Sequence, residues 1–279
     1  NVTELIIATF LILNGELAIV KASITGSIIG NVLLVLGVAF AVGGWKRVEQ
    51  DFNRTAAGLH SASLVIAVGA LLLPALFSFT PEATDFRTEA VSIGVAIVLM
   101  ATYVAGLLFT LKTHRSLFRS DLEHAEPKWS ARRAMGTLAG ATVGVALMSE
   151  FLVGALEPTV EELGLSELFV GLIVVPIIGN AAEHSSAIFL AARDKMEVAI
   201  EIAIGSSTQI ALFVAPLLVF VSLLVGNSMD LIFTGIEIAA VAFSAAILGF
   251  VVLDGRSNWF EGVQLVAAYV ILAISFFFV

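Results

Sequence analysis

Cysteine is absent from this 279-residue chain, tyrosine occurs only twice, and charged residues make up only 13% of it. The first absence excludes disulfides, thiolate metal ligands and thiol redox chemistry. The shortage of charge, against about 25% in soluble globular proteins, argues against a soluble fold. With 59% hydrophobic residues and a mean hydropathy of +1.02, the chain reads as an integral membrane protein with no nucleic-acid partner. No initiator methionine and no signal peptide opens it, and residues 1–14 span only about 21 Å as a helix at ~1.5 Å per residue. They read as the second half of a span, so the numbering is expected to start inside a longer natural chain.

Apolar runs near or above the roughly 20 residues needed to cross a bilayer predict helical spans at about 17–44, 56–80, 88–111, 131–156, 167–192, 196–226, 230–253 and 258–279. Of the 14 Lys and Arg residues, all but Lys21 and Arg87 fall on one side of these spans. The positive-inside rule makes that side cytoplasmic, with the linker 112–130, and places the C-terminus opposite. Carboxylates such as Glu16, Glu82, Asp85, Glu89, Glu157, Glu161, Glu162, Glu167 and Asp230 crowd the other side. The net charge of −9 reads either as a cation-attracting outer face or as ordinary solvated loops.

What the spans contain is more specific. The stretch 179-GNAAEHSSAIF-189 carries an amide, a carboxylate and an imidazole inside an apolar run, and 1-NVTELIIATFL-11 repeats its Asn-x-x-Glu spacing. A shift of 179 residues pairs Asn1 with Asn180, Glu4 with Glu183, Gly26 with Gly205 and Ser27 with Ser206 without a gap. In so apolar a chain the polar matches are the informative ones. The span count between the copies is odd, so they are expected to be inverted. The fold class is therefore an all-α multi-pass membrane protein of two inverted five-helix repeats, the first incomplete at its N-terminus. Residues 1–111 form the first repeat, 112–130 the linker and 131–279 the second.

In 176-PIIGNAAEH-184, Pro176 lacks an N–H, Gly179 lowers helix propensity and Asn180 offers competing hydrogen bonds, so the helix should break near the midplane. A similar interruption is expected at Gly26-Ser27 and Gly205-Ser206. Broken helices meeting at mid-membrane in inverted repeats are the architecture of many secondary transporters.

These residues resemble the Ca2+/H+ antiporters of the cation/Ca2+ exchanger superfamily. The resemblance covers essentially the whole chain and is strongest in 149-SEFLVGALEP-158, 171-GLIVVPIIGNAAEHSSAIFLA-191, 204-IGSSTQIALFVAPLLVF-220, 229-MDLIFTGIEI-238 and 253-LDGRSNWFEG-262. In the first half it lies in 1-NVTELIIATF-10, 20-VKASITGSIIGNVLLVLG-37 and 51-DFNRTAAGLHSASL-64. The family's first motif normally reads Gly-Asn-x-Thr-Glu, and here the Gly is missing. The counterpart of 131–179 and one further helix are expected before Asn1. The linker carries Asp121, Glu123 and Glu126 but no long acidic run. The resemblance implies a transporter, not an enzyme, with Ca2+ and H+ as substrates and no cofactor. A prokaryotic cell membrane is expected, with a vacuolar-type membrane as the alternative, and a homo-oligomer is left open.

The chemistry agrees. Ca2+ takes six to eight oxygens, of which two glutamates supply at most four. Asn1, Asn180, Ser27, Ser206, broken-helix carbonyls and water complete a candidate shell around Glu4 and Glu183. Two carboxylates with Ca2+ sum to zero, as do two carboxylates with two protons, whereas the empty pair carries −2 in a low-dielectric site. His184, whose counterpart is Leu5, reads as a proton-handling or hydrogen-bonding neighbour, and Gln209 as a site-lining amide or a helix-helix link. Asn1 and Asn180 read alternatively as helix caps, and Gly26 and Gly205 as close-packing positions. Glu150 and Glu237 read equally as functional carboxylates within spans or as side chains that snorkel to the interface, and Glu197 and Glu201 as solvated at the inner face. A Na+/Ca2+ exchanger is the nearest rival. A channel fits less well, and an intramembrane metalloenzyme least, because no H-E-x-x-H is present. By inversion, 1–14 with 17–44 and 167–192 with 196–226 are expected to form a fixed core, with 131–156 as a moving gate.

Overall fold

The computed structural model describes residues 1–118 and 129–279; Asp121, Glu123 and Glu126 of the linker lie outside the described residues. The chain is helical almost throughout, as its apolar runs require. Helix α1 (Val2–Leu13) turns at Gly15, whose φ of 83° suits glycine, into α2 (Leu17–Ile29). A π-helical turn, Gly30–Val35, carries α2 without a break into α3 (Leu36–Gly44). The short strand β1 (Gln50–Asp51) leads to α4 (Arg54–Ser78), capped by the Asn53 side chain. Thr84 caps α5 (Asp85–Leu108), which ends in a second π turn at Phe109–Thr113.

The second half opens with α6 (Ala131–Leu163), which stops at Gly164 with φ of 63°. Then come α7 (Glu167–Phe169), a π turn at Val170–Val174, α8 (Val175–Gly179) and α9 (Ala181–Ala192). After these, α10 (Met196–Gln209), a π turn at Ile210–Val214 and α11 (Ala215–Val225) form one continuous rod. The chain closes with α12 (Gly235–Val251), strand β2 (Arg256–Ser257) and α13 (Trp259–Phe277). Antiparallel pairing of β1 with β2 ties the α3–α4 loop to the α12–α13 loop.

Among the described residues six helical stretches are long and apolar enough to cross a membrane, or seven if the pair bent by 61° between Gly179 and Ala181 is one span. The break lies where Pro176, Gly179 and Asn180 predict it. The shift of 179 extends to element boundaries: α1 maps onto α9 at both ends, and Gly30–Val35 overlies Ile210–Val214 to within one residue. The continuous stretch Leu17–Gly44 is the most enclosed, with 83% of its most apolar window buried, against 17% for Asp85–Thr113 and 11% for Ala131–Val160. The first therefore forms the centre of the molecule, and α5 and α6 its periphery.

Two expectations need correction. The second helix of each copy is not interrupted at Gly26-Ser27 or Gly205-Ser206, where helical hydrogen bonding continues. The irregularity is instead a π turn beginning at Gly30 and at Ile210. A π turn absorbs one extra residue without leaving backbone groups unpaired, so it satisfies hydrocarbon better than an open break does. The span expected over 230–253 is shorter, and α12 has 17 residues. Residues 229–233 run non-helically because side chains capture their backbone: Ser222 Oγ accepts from Met229 N at 2.9 Å, Ser92 Oγ from Leu231 N at 3.1 Å, and Asp230 Oδ1 from Ile232 N at 2.9 Å. Thr234 and Glu237 then start the helix with a reciprocal capping box.

Small residues bring the helices together. A Cβ on Gly262 of α13 would collide with the Ala41 amide nitrogen and the Gly37 carbonyl of α3. Such backbone-to-backbone contact cannot be relieved by a rotamer change, and overpacking costs typically 1–3 kcal/mol or more. Gly262→Ala is expected to lower the melting temperature in detergent clearly, whereas Gly94→Ala, at a helix position with open space around it, should leave it unchanged or slightly raised.

Candidate functional site

The site forms where α1 and α9 begin. Asn1 and Asn180 occupy the N-cap positions of these helices, and their carbonyls accept the first helical bonds, from Leu5 N at 3.2 Å and His184 N at 2.9 Å. Neither side chain makes a capping bond, which corrects the capping alternative. Both reach instead to the other half of the chain. Asn180 Nδ2 donates to Ser27 Oγ of α2 at 3.3 Å, while Asn1 Oδ1 accepts from Ser206 Oγ of α10 at 2.7 Å. The two pairings are thus equivalent under the 179-residue shift.

Ser206 is the densest node. Its hydroxyl lies 2.7 Å from Asn1 Oδ1 and 3.3 Å from Glu183 Oε2, and it accepts from Asn31 Nδ2 at 3.1 Å. A serine carries one proton, so Asn1 and Glu183 compete for it. Asn1 Nδ2 also donates to Gln209 Oε1 at 2.6 Å, and Gln209 Nε2 donates to Tyr103 Oη at 3.1 Å. His184 Nε2 lies 3.0 Å from Asn31 Oδ1, an acceptor, so the imidazole donates there.

Glu4 stands one turn into α1, near enough to Glu183 to feel its charge and beside the Asn180 amide. Its side chain is 13% exposed. Its Oε1 is buried with no hydrogen-bond partner, in surroundings where nearly every other polar atom is paired. Unpaired buried oxygens are costly and rare, whereas the other oxygen of the same carboxylate, Oε2, lies 3.9 Å from the Asn1 amino nitrogen. Among the described residues no three His, Cys, Asp or Glu side chains come together. Two carboxylates are therefore the strongest donors here, and any further oxygens must come from amides, hydroxyls, carbonyls or water.

The structure thus brings together Asn1, Glu4, Ser27, Asn180, Glu183, His184, Ser206 and Gln209. Gly26 and Gly205 support from behind, and differently. A Cβ on Gly26 would collide with the backbone of Leu172, whereas one on Gly205 would find only Glu201 Oε1, at 3.9 Å. Asn31 and Tyr103 are additions. Asn31, 1% exposed, is a lone amide in an apolar run and was legible as such, but a repeat-based search passes over it because its counterpart is Ile210. Glu150 is exposed. Glu237 reaches no interface: it is 2% exposed and accepts from Thr25 Oγ1 at 2.9 Å and Thr234 Oγ1 at 2.8 Å. Glu201 lies 3.2 Å from His60 Nε2 instead of simply solvating.

The family profile described as "Sodium/calcium exchanger protein" matches residues 1–112 and 133–278. The chain belongs to that family. It is 45% identical to the Ca2+/H+ antiporter ChaA of Bacillus subtilis over 284 residues, covering 99% of this chain and 80% of the relative. It is 41% identical to a Ca2+/H+ antiporter of Synechocystis, covering 100% of this chain and 80% of the relative. The solved structure of native YfkE superposes with a TM-score of 0.86 at 42% identity, covering 99% of this chain and 80% of that one. The family and multi-pass helical fold expected from the sequence are both borne out. Within this family member the two glycines should separate experimentally: Gly26→Ala is expected to lower the melting temperature, and Gly205→Ala to leave it within error.

Proposed function

We propose that this protein exchanges Ca2+ for H+ across a membrane by alternating access, with Glu4 and Glu183 as the pair that holds either one Ca2+ or protons. The observation that carries this reading is the buried, unpartnered Oε1 of Glu4 beside a second carboxylate. A cation or a proton supplies what that oxygen lacks. The names of the 41–45% identical relatives support the choice of ions.

The chain's own groups account for a cycle. Asn180 spends its Nδ2 on Ser27 and keeps Oδ1 for a cation. When Ca2+ arrives, Ser206 turns its proton from Asn1 toward Glu183 Oε2 or away from both, which frees Asn1 Oδ1 as a ligand. Helix ends leave carbonyls without in-helix partners, so the C-terminal end of α8 can add oxygens. Protonating the glutamates removes the attraction for Ca2+, while the empty pair of charges is too costly to travel. Exchange is therefore favoured over leak.

In this reading the two halves, 1–111 and 131–279, are inverted about the membrane plane, and 112–130 is cytoplasmic. The central helices α1–α3 and α7–α11 stay fixed while the peripheral α6 moves. A Na+/Ca2+ exchanger is the second reading, favoured by the description of the family profile. The set of two carboxylates with neutral amides and hydroxyls offers less negative charge than several Na+ ions demand.

The test uses everted vesicles. An imposed pH gradient, acid inside, is expected to drive Ca2+ uptake whether or not Na+ is present. Glu4→Gln and Glu183→Gln should each reduce uptake to background while remaining extractable as folded protein. A Na+ requirement would move the assignment to the rival, and near-normal exchange by either mutant would remove the carboxylate pair.

A further inference from the structure

The hydrogen-bond chain that orients Asn1 runs outward to the periphery of the molecule. Gln209 Oε1 accepts from Asn1 Nδ2 at 2.6 Å, and Gln209 Nε2 donates to Tyr103 Oη at 3.1 Å. Tyr103 belongs to α5, one of the least enclosed helices. Its ring stacks on Phe213, with centroids 5.0 Å apart and planes at 27°, in the π turn that directly follows Gln209. Among the described residues the other polar side-chain links from α5 to the core involve Glu89 and Ser92, three to four turns away. Tyr103 is thus the polar contact of α5 at the depth of the site.

We propose that Tyr103 is a positioning residue for cation binding, its hydroxyl holding the Gln209 amide so that Asn1 presents an oxygen, not an N–H2, to the cation. This rests on the paired-glutamate reading above. A carboxamide has one accepting and one donating end, so neighbouring amides in a chain must face the same way round or two N–H2 groups meet. Tyr103 Oη accepts at one end of this chain, and Ser206 Oγ donates to Asn1 Oδ1 at the other. Without the hydroxyl, the Gln209 Nε2 loses its acceptor in a partly buried place and the amide is released to turn. Asn1 Nδ2 then keeps only its longer bond to the Ser206 carbonyl, at 3.4 Å, so Oδ1 is held less firmly toward the cation and the repelling Nδ2 can replace it. Among the described residues the other half-site has no such arm, because Gly30 occupies the position equivalent to Gln209. Tyr103 therefore tunes one of two otherwise matching halves, and through α5 links that half to the periphery.

The experiment is Ca2+ uptake kinetics in vesicles for Tyr103→Phe, Gln209→Ala and the double variant, with Glu183→Gln in the same assay. Phenylalanine keeps the stack on Phe213 and removes only the hydroxyl. Tyr103→Phe is expected to raise the KM for Ca2+ about threefold or more, with Vmax within about twofold and an unchanged melting temperature. The double variant should be no worse than Gln209→Ala alone, as for two groups acting in one chain. A wild-type KM in Tyr103→Phe, or additive effects in the double variant, overturns the positioning role while the glutamate reading stands. Exchange retained by Glu183→Gln overturns that reading and the proposal with it. Tyr103→Leu provides a second control: loss of both stack and hydroxyl should lower the melting temperature as well as raise KM.

Discussion

A carboxylate carried into the middle of a bilayer must be met by protein donors, a cation or a proton, because hydrocarbon offers nothing to an ionised oxygen. Placing one charged residue at the centre of a membrane helix costs about 3 kcal/mol on insertion scales, and two side by side repel as well. The shape of the molecule follows from accommodating Glu4 and Glu183. Helix α9 starts at mid-span, after a 61° bend, so that Asn180 and Glu183 fall at a helix start and not along a greasy face. The most buried helical stretch, Leu17–Gly44, and its counterpart Met196–Val225 pass this point and supply Ser27 and Ser206. The π turns after these serines re-aim the residues beyond them without exposing backbone, which an unwound loop would do.

The pairing is reciprocal between halves, and this reciprocity constrains the sequence. Each asparagine is held by the serine of the opposite half, so neither half completes a site alone. The elaborations around that frame are not repeated. His184 with Asn31 supports Ser206 from one side, and Tyr103 with Gln209 supports Asn1 from the other. The two halves are thus matched in their Asn–Ser pairs but differ in the residues that support them.

Much of this was legible in the sequence. The Asn-x-x-Glu copies and the Gly-Ser copies, read together, named most of the polar residues that the fold brings together, since polar residues in apolar runs have few reasons to recur at fixed spacing. Pro176, Gly179 and Asn180 located the break. The π turns were not legible, because they contain ordinary apolar residues such as 210-IALFV-214 and arise from packing. The late start of α12 was hidden because Leu231, Ile232 and Phe233 look helical by hydropathy. They are kept out of the helix by Ser92 and by the side chain of Asp230, one residue earlier. Asn31 and Tyr103 escaped because a search for matched residues is blind to unmatched ones. Asn1 and Asn180 sit where a cap belongs yet do not cap, since the bonds they make to Ser206 and Ser27 are long-range.

The central claim is that Ca2+ and protons occupy the same two carboxylates in turn. Calorimetric titration of the purified protein with Ca2+, in buffers of differing ionisation enthalpy, counts the protons released for each ion bound. At a pH low enough to protonate the empty pair, release is expected to approach about two protons per Ca2+ and to fall as pH rises. Apparent affinity should strengthen over the same range. Ca2+ binding that releases no protons at any pH, with an affinity indifferent to pH, would contradict the account.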